Sequence, residues 1–193
     1  MALRDFKKVP TIKASGMDER KLHEAIKALA SRQLLVGIPQ SAATRDDGEP
    51  ITNATIGYIS EFGSPAANIP ARPWLFPGIR MNQEKLVGGM FQTAKLAFSG
   101  RASGMQVEKA LNVVGIEAVS GIRKRIADGL DPPLANYTLY KRATRGDEGA
   151  AWELSWRQAG TDAANGQLAK PLIDTGNFIK SISYVVVNRK AGA

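Results

Sequence analysis

The chain has 193 residues, 44% hydrophobic and 23% charged, the balance of a folded domain with a real core. It has no cysteine and one histidine, His23, which excludes disulfides, thiolate metal sites and His–His metal sites and leaves no Ser/His/Asp set to argue. The net charge of +8 favours nucleic acid or acidic protein surfaces, yet it lies in short clusters (Lys7-Lys8, Arg123-Lys124-Arg125, Lys141-Arg142) that a solvated face explains as well.

No apolar run approaches the roughly 20 residues of a membrane span. The N-terminus has charges but no apolar centre, so it does not read as a secretory signal, and a cytoplasmic site of synthesis is expected. Residues 1–14 read as a flexible arm. Ser15 and Asp18 have capping-box spacing. Behind them Leu22, Ile26 and Leu29 mark one face of a helix running to about Gln33, with His23 beside that stripe as a structural residue. Leu34 to Ile38 reads as a strand stopped by Pro39. Residues 40–50 are polar and rich in turn formers. Their acids, Asp46, Asp47 and Glu49, lack the ligand spacing of a calcium loop.

Thr52 or Asn53 can cap a second helix whose apolar side is Ile56, Tyr58, Ile59 and Phe62, and Gly63 offers a left-handed stop. Pro65, Pro70, Pro73 and Pro77 then oppose regular helix and bias Ser64, Ile69, Arg72 and Phe76 toward extended backbone. The expectation is a stiff loop that presents Trp74, Leu75 and Phe76 as interface anchors. The alternative is that Trp74 and Phe76 fold back into the core. From Ile79 to Phe98 the pattern is helical, with Leu86, Met90, Phe91, Ala94 and Phe98 as the expected buried face. Residues 99–104 break it without the ending of a phosphate loop. Val107, Leu111, Val114, Ala118, Ile122 and Ile126 then recur by four and three, the best-patterned helix in the chain, closed by Asp128-Gly129. Arg123, Lys124 and Arg125 sit in its last turns, where cations complement the helix dipole.

A double proline opens residues 130–145, which read as a turn and a short helix carrying Tyr137 and Tyr140. Residues 146–169 read as an insertion, with a short helix at Ala150 to Gln158 that carries Trp152 and Trp156. Asp174 or Thr175 can cap one turn holding Phe178 and Ile179. Ile182 to Val187 is a strand by composition and pairs with Leu34 to Ile38; a loop hairpin is a candidate third strand. The expected fold is α+β: one domain over 15–187, a small antiparallel sheet packed against two or three helices, with a long extended Pro-rich loop. Residues 188–193 are a tail.

One motif bears on chemistry. Leu172-Ile173-Asp174-Thr175-Gly176 is how retroviral-type aspartic proteases present their aspartate. Such a site needs a second carboxylate from a paired lobe, and the rest of the chain reads as helical. A capping role for this stretch needs nothing further. A protease acting through Asp174 and a basic DNA-binding protein stay as alternatives.

Three blocks occur in order: Val36-Gly37-Ile38-Pro39; Glu61-Phe62-Gly63 with Ile69-Pro70-Ala71-Arg72-Pro73-Trp74-Leu75; and Lys170-Pro171-Leu172-Ile173-Asp174-Thr175-Gly176 leading to Ser181-Ile182-Ser183-Tyr184. Pro132-Pro133-Leu134 falls between the last two. The set resembles the virion-morphogenesis, neck and tail-completion proteins of tailed bacteriophages, including the Mu-like phages. It spans about residues 34–187. Trp74 departs from the commoner phenylalanine, and 146–169 is extra. The resemblance implies a non-enzymatic virion protein without cofactor or metal, assembled in the host cytoplasm. It implies a homo-oligomeric ring, a hexamer ahead of a dodecamer, at the head–tail junction. Head-connector proteins and tail tube or terminator proteins are the implied partners. Genomic DNA passes through the lumen without sequence-specific contact, and no membrane is involved. The expected contacts are Phe62, Ile69, Arg72, Trp74, Leu75, Phe76, Trp152 and Trp156.

Overall fold

A computed structural model of the chain describes residues 19–39, 51–99, 104–160 and 168–189. The expected N-terminal arm, the Ser15 cap, the acids at 46–49, the Lys7-Lys8 pair, most of the 99–104 break, residues 161–167 and the end of the tail lie outside these. The fold is α+β, with eight helices and a two-stranded antiparallel sheet among the described residues. The helices are α1 Glu19–Ala30, α2 Asn53–Phe62, α3 Leu75–Met81, α4 Gln83–Phe98, α5 Gly104–Asp128, α6 Asn136–Ala143, α7 Glu148–Gln158 and α8 Asn177–Ser181. The sheet pairs β1 Arg32–Gly37 with β2 Ser183–Asn188, as their β-branched and aliphatic residues require; β1 starts two residues earlier than its apolar run. No third strand joins it among the described residues; the stretch after α2 holds a single 3-10 turn at Pro65–Ala67, closed by an isolated Ser64–Ile69 bridge.

The chain groups into two compact units. One holds Met1–Leu35, Glu84–Val114 and Val186–Ala193; the other holds Val36–Gln83 and Gly115–Val185.

In the first unit, Ala97, Val107 and Leu111 form a buried cluster with Leu29 and Val186 against it. The face of α4 differs from expectation. Met90 is exposed, Leu86, Phe91, Ala94 and Phe98 are only partly covered, and the buried residues are Thr93 and Ala97. Small residues win that face because the neighbouring helix comes close: a Cβ on Gly89 would lie 2.8 Å from Val114 Cγ2. Thr93 is tolerated there because its hydroxyl donates to Gly89 O at 2.8 Å.

The second unit is built on the C-terminal part of α5. Val119, Ile122, Ile126, Leu130, Trp74, Phe178 and Ile182 form its main core, and Val36, Ile38, Leu75, Leu172 and Tyr184 pack against it. All six stripe residues of α5 are buried. Burying one such side chain is worth about 1.5–3 kcal/mol, against about 0.7 kcal/mol of helix propensity, so the stripe decides which way the helix faces. Gly129, at φ 106°, ends α5 as the sequence suggests. A smaller cluster of Leu134, Leu139, Ala150 and Ala169 joins α6 to α7. Asp147 caps α7, its Oδ1 accepting from Ala150 N at 3.0 Å, so that helix starts two residues before the expected Ala150.

Two local expectations change. Helix resumes at Leu75 rather than after Pro77, because Pro77 sits in the first turn of α3, where no backbone N–H is needed. The cap of α8 is Gly176, at φ 81°, and not Asp174; Thr175 Oγ1 accepts from Asn177 N at 3.4 Å.

Candidate interaction surface

The surface is organised by Glu61, one residue from the C-terminal end of α2. Thr52 caps that helix at its start, its hydroxyl accepting from Thr55 N at 3.1 Å. Gly63, at φ 75°, stops it. A Cβ at Gly63 would meet Ala71 N at 2.8 Å, so the returning strand of the loop lies directly against this glycine. Glu61 is buried and its carboxylate faces the start of α3. Oε2 accepts from Trp74 N at 2.7 Å and Leu75 N at 2.8 Å, and Oε1 from Phe76 N at 3.3 Å. A carboxylate thus satisfies the free N–H groups of a helix that has no capping side chain at Trp74.

Trp74 is only 4% exposed. Its indole lies over Gly57, where a Cβ would meet Trp74 Cζ2 at 2.9 Å, and its Nε1 donates to Gly57 O at 2.9 Å. It meets Phe178 edge-to-face with ring centres 5.1 Å apart. Trp74 is therefore a core residue and not an exposed anchor, since its ring and its N–H are both used within the fold. Leu75 is half-buried against the same core. Arg72 is half-buried and tied down: Nε donates to Pro132 O at 2.5 Å and Nη2 to Pro133 O at 2.9 Å. Burial holds its guanidinium below the ordinary arginine value. Arg72 therefore joins the Pro-Ala-Arg-Pro stretch to the Pro-Pro-Leu turn.

Phe62 and Phe76 remain outside, 58% and 56% exposed, and Ile69 is exposed at the loop tip. Tyr58 joins them at 67%; its ring lies 5.0 Å from that of Phe62. In the sequence Tyr58 reads as part of the apolar side of α2, with nothing to mark it as surface except its four-residue spacing from Phe62. Together these rings rim a groove of about 280 Å³ whose floor includes Gly57, Glu61 and Trp74. On α7 of the same unit Trp152 and Trp156 are both exposed, at 60% and 39%.

The third block is also structural. Arg142 is buried on α6, and its Nη1 donates to Lys170 O at 3.2 Å and Ile173 O at 2.5 Å. Those carbonyls flank Leu172, whose φ of 62° is strained for a leucine. Burial lowers the Arg142 pKa from its ordinary value; Asp174 and Asp147, each 3.9 Å away, push it back up, and Arg145 lowers it. Asp174, the residue of the protease-like motif, is ion-paired to Arg145 at 2.8 Å and faces Arg142. Next to this, Glu153 is fully buried: Oε2 accepts from Leu168 N and Ala169 N at 3.2 and 3.0 Å, and Arg157 bonds its Oε1. This network ties α7 to the segment that follows it.

The basic clusters are largely occupied by the fold. Arg123 donates to Ile182 O, Arg125 to Gly129 O, and Lys124 pairs with Asp128 at 2.9 Å. Lys141 lies over the Tyr137 ring at 5.6 Å. In the first unit, α4 and α5 line an apolar groove of about 650 Å³ that includes Gly89, Thr93, Leu96 and Val113. Among the described residues no helix is long and apolar enough to cross a membrane, and no group of three or more acids or histidines is placed to hold a metal ion. Compared with protein-family models, curated proteins and solved structures, the chain matches none of them.

Proposed function

We propose that this chain is a structural virion subunit of a tailed bacteriophage, acting at the neck or tail end, where it assembles head to tail into a ring. The observation that carries the reading is how the motif residues are used. Glu61 bonds the start of α3 at Trp74, Arg72 ties the same stretch to Pro132 and Pro133, and Leu172 and Ile173 pack against the core that holds Trp74; this framework leaves Tyr58, Phe62 and Phe76 outward as an apolar rim. Exposed aromatics on a rigid support are the usual centre of a protein interface. The ordered blocks that resemble the neck and tail-completion family are the same residues. On this reading the partners are further copies of the chain, the head connector, and tail tube or terminator proteins. DNA threads the ring without sequence-specific contact, and the protein is carried in the virion.

Electron microscopy and light scattering of the purified protein test this. A closed ring of fixed mass, stable between about 50 and 200 mM salt, is expected, because apolar contacts tolerate salt. Retention on DNA that weakens steeply over the same range would favour a basic DNA-binding protein instead.

A further inference from the structure

We propose that Trp152 of one subunit inserts into the aromatic groove on α2 and α3 of a second copy, making the head-to-tail contact. This rests on the ring reading above and names the contact within it.

Size, polarity and availability select this pair. An apolar cavity of about 150 Å³ holds one benzene ring, so a groove of about 280 Å³ holds one bicyclic indole and not two. The rim is aromatic, and its floor has a single charged group, Glu61, which is more than nine-tenths buried. An ionised carboxylate has about four acceptor positions. Here Oε2 takes two short bonds, while Oε1 takes only the long one from Phe76 N. The groove therefore calls for an apolar side chain with one N–H donor and no acceptor, which describes an indole. Trp74 is already sealed in the core and bonded to Gly57. Trp156 is less exposed and has an interaction of its own. Trp152 is 60% exposed and makes no hydrogen bond or ring contact among the described residues. Donor and receptor are different patches, so a single contact leaves a free groove on one copy and a free tryptophan on the other for further copies, which is what a head-to-tail ring needs.

Two variants, each lacking one half of the contact, decide the question. Trp152→Ala keeps the groove; Tyr58→Ala with Phe62→Ala keeps the tryptophan, and all three side chains are exposed, so both variants fold. By light scattering the wild type assembles, and each variant alone is monomeric, its association weakened roughly thirtyfold or more. Their equimolar mixture forms dimers and nothing larger, because each pair uses up the one intact tryptophan and the one intact groove. Trp156→Ala leaves the wild-type mass unchanged. If Trp152→Ala assembles like wild type, or the mixture stays monomeric, the pairing is overturned while the ring stands. If the wild type stops at closed pairs and the mixture still dimerises, the ring fails and the pairing stands. A wild type that is monomeric at millimolar concentration, with a monomeric mixture, overturns both.

Discussion

Glu61 accepts the backbone N–H of Trp74 at 2.7 Å, across 13 residues of chain that leave α2, turn at Gly63 and return. A single carboxylate fixes where α3 begins and which way the following residues face. Glu61→Ala leaves three N–H groups at a buried helix start without an acceptor. It should cost about 2–4 kcal/mol, and Glu61→Gln, which keeps one oxygen, distinctly less. Urea denaturation of the two variants gives both values; an Ala variant as stable as wild type would remove Glu61 from this role.

Trp74 and Phe76 are two residues apart and belong to different environments. Trp74→Ala should lose about 3–5 kcal/mol, the range for a buried aromatic. Phe76→Ala should stay within about 0.5 kcal/mol. Equal effects from the two would contradict the burial of one and the exposure of the other.

Glycines on two helices should respond in opposite directions. A Cβ on Gly78 in α3 would lie 2.6 Å from Ile122 Cα, a backbone atom that cannot move aside. Gly78→Ala should therefore destabilise by about 1–3 kcal/mol despite its better helix propensity. Gly88 in α4 has nothing within 4 Å, and Gly88→Ala should stabilise by about 0.5–1 kcal/mol. Thermal unfolding reads both signs.

Arg142 and Arg145 both face Asp174, yet their removal should differ greatly. Arg142→Ala strips two partly buried carbonyls of their donor and should cost about 2–4 kcal/mol. Arg142→Lys should recover part of the loss, because both bonds come from the one nitrogen Nη1 and an ammonium carries enough donors for both. Arg145→Ala and Asp174→Asn break a pair open to water and should cost at most about 1 kcal/mol. If Asp174→Asn instead abolished a peptidase activity of the purified protein, the protease alternative would be revived.

What could be read from the sequence was whatever depends on spacing along one element. The α5 stripe from Val107 to Ile126 needs only the helical period, and all six residues are buried. Thr52, Gly63 and Gly129 act through the backbone of their own neighbours, and they punctuate the chain as their chemistry predicts. The α+β class followed from those periods together with a β-branched final strand. Tertiary structure decided the rest, because it depends on groups far apart in sequence. Pro77 opposed helix by local rules, but a carboxylate from α2 supplies the cap that lets α3 begin just ahead of it. Trp74 and Phe62 have the same apolar character in sequence; only the gap over Gly57 and the ring of Phe178 draw one inside and leave the other out. Asp174 suits a cap by type, but the buried guanidinium of Arg142 and the nearby Arg145 make it an ion-pair partner, and Gly176 takes the cap. Local propensities are worth tenths of a kcal/mol, whereas burying a ring or satisfying a buried charge is worth several, so burial and charge pairing settle such positions.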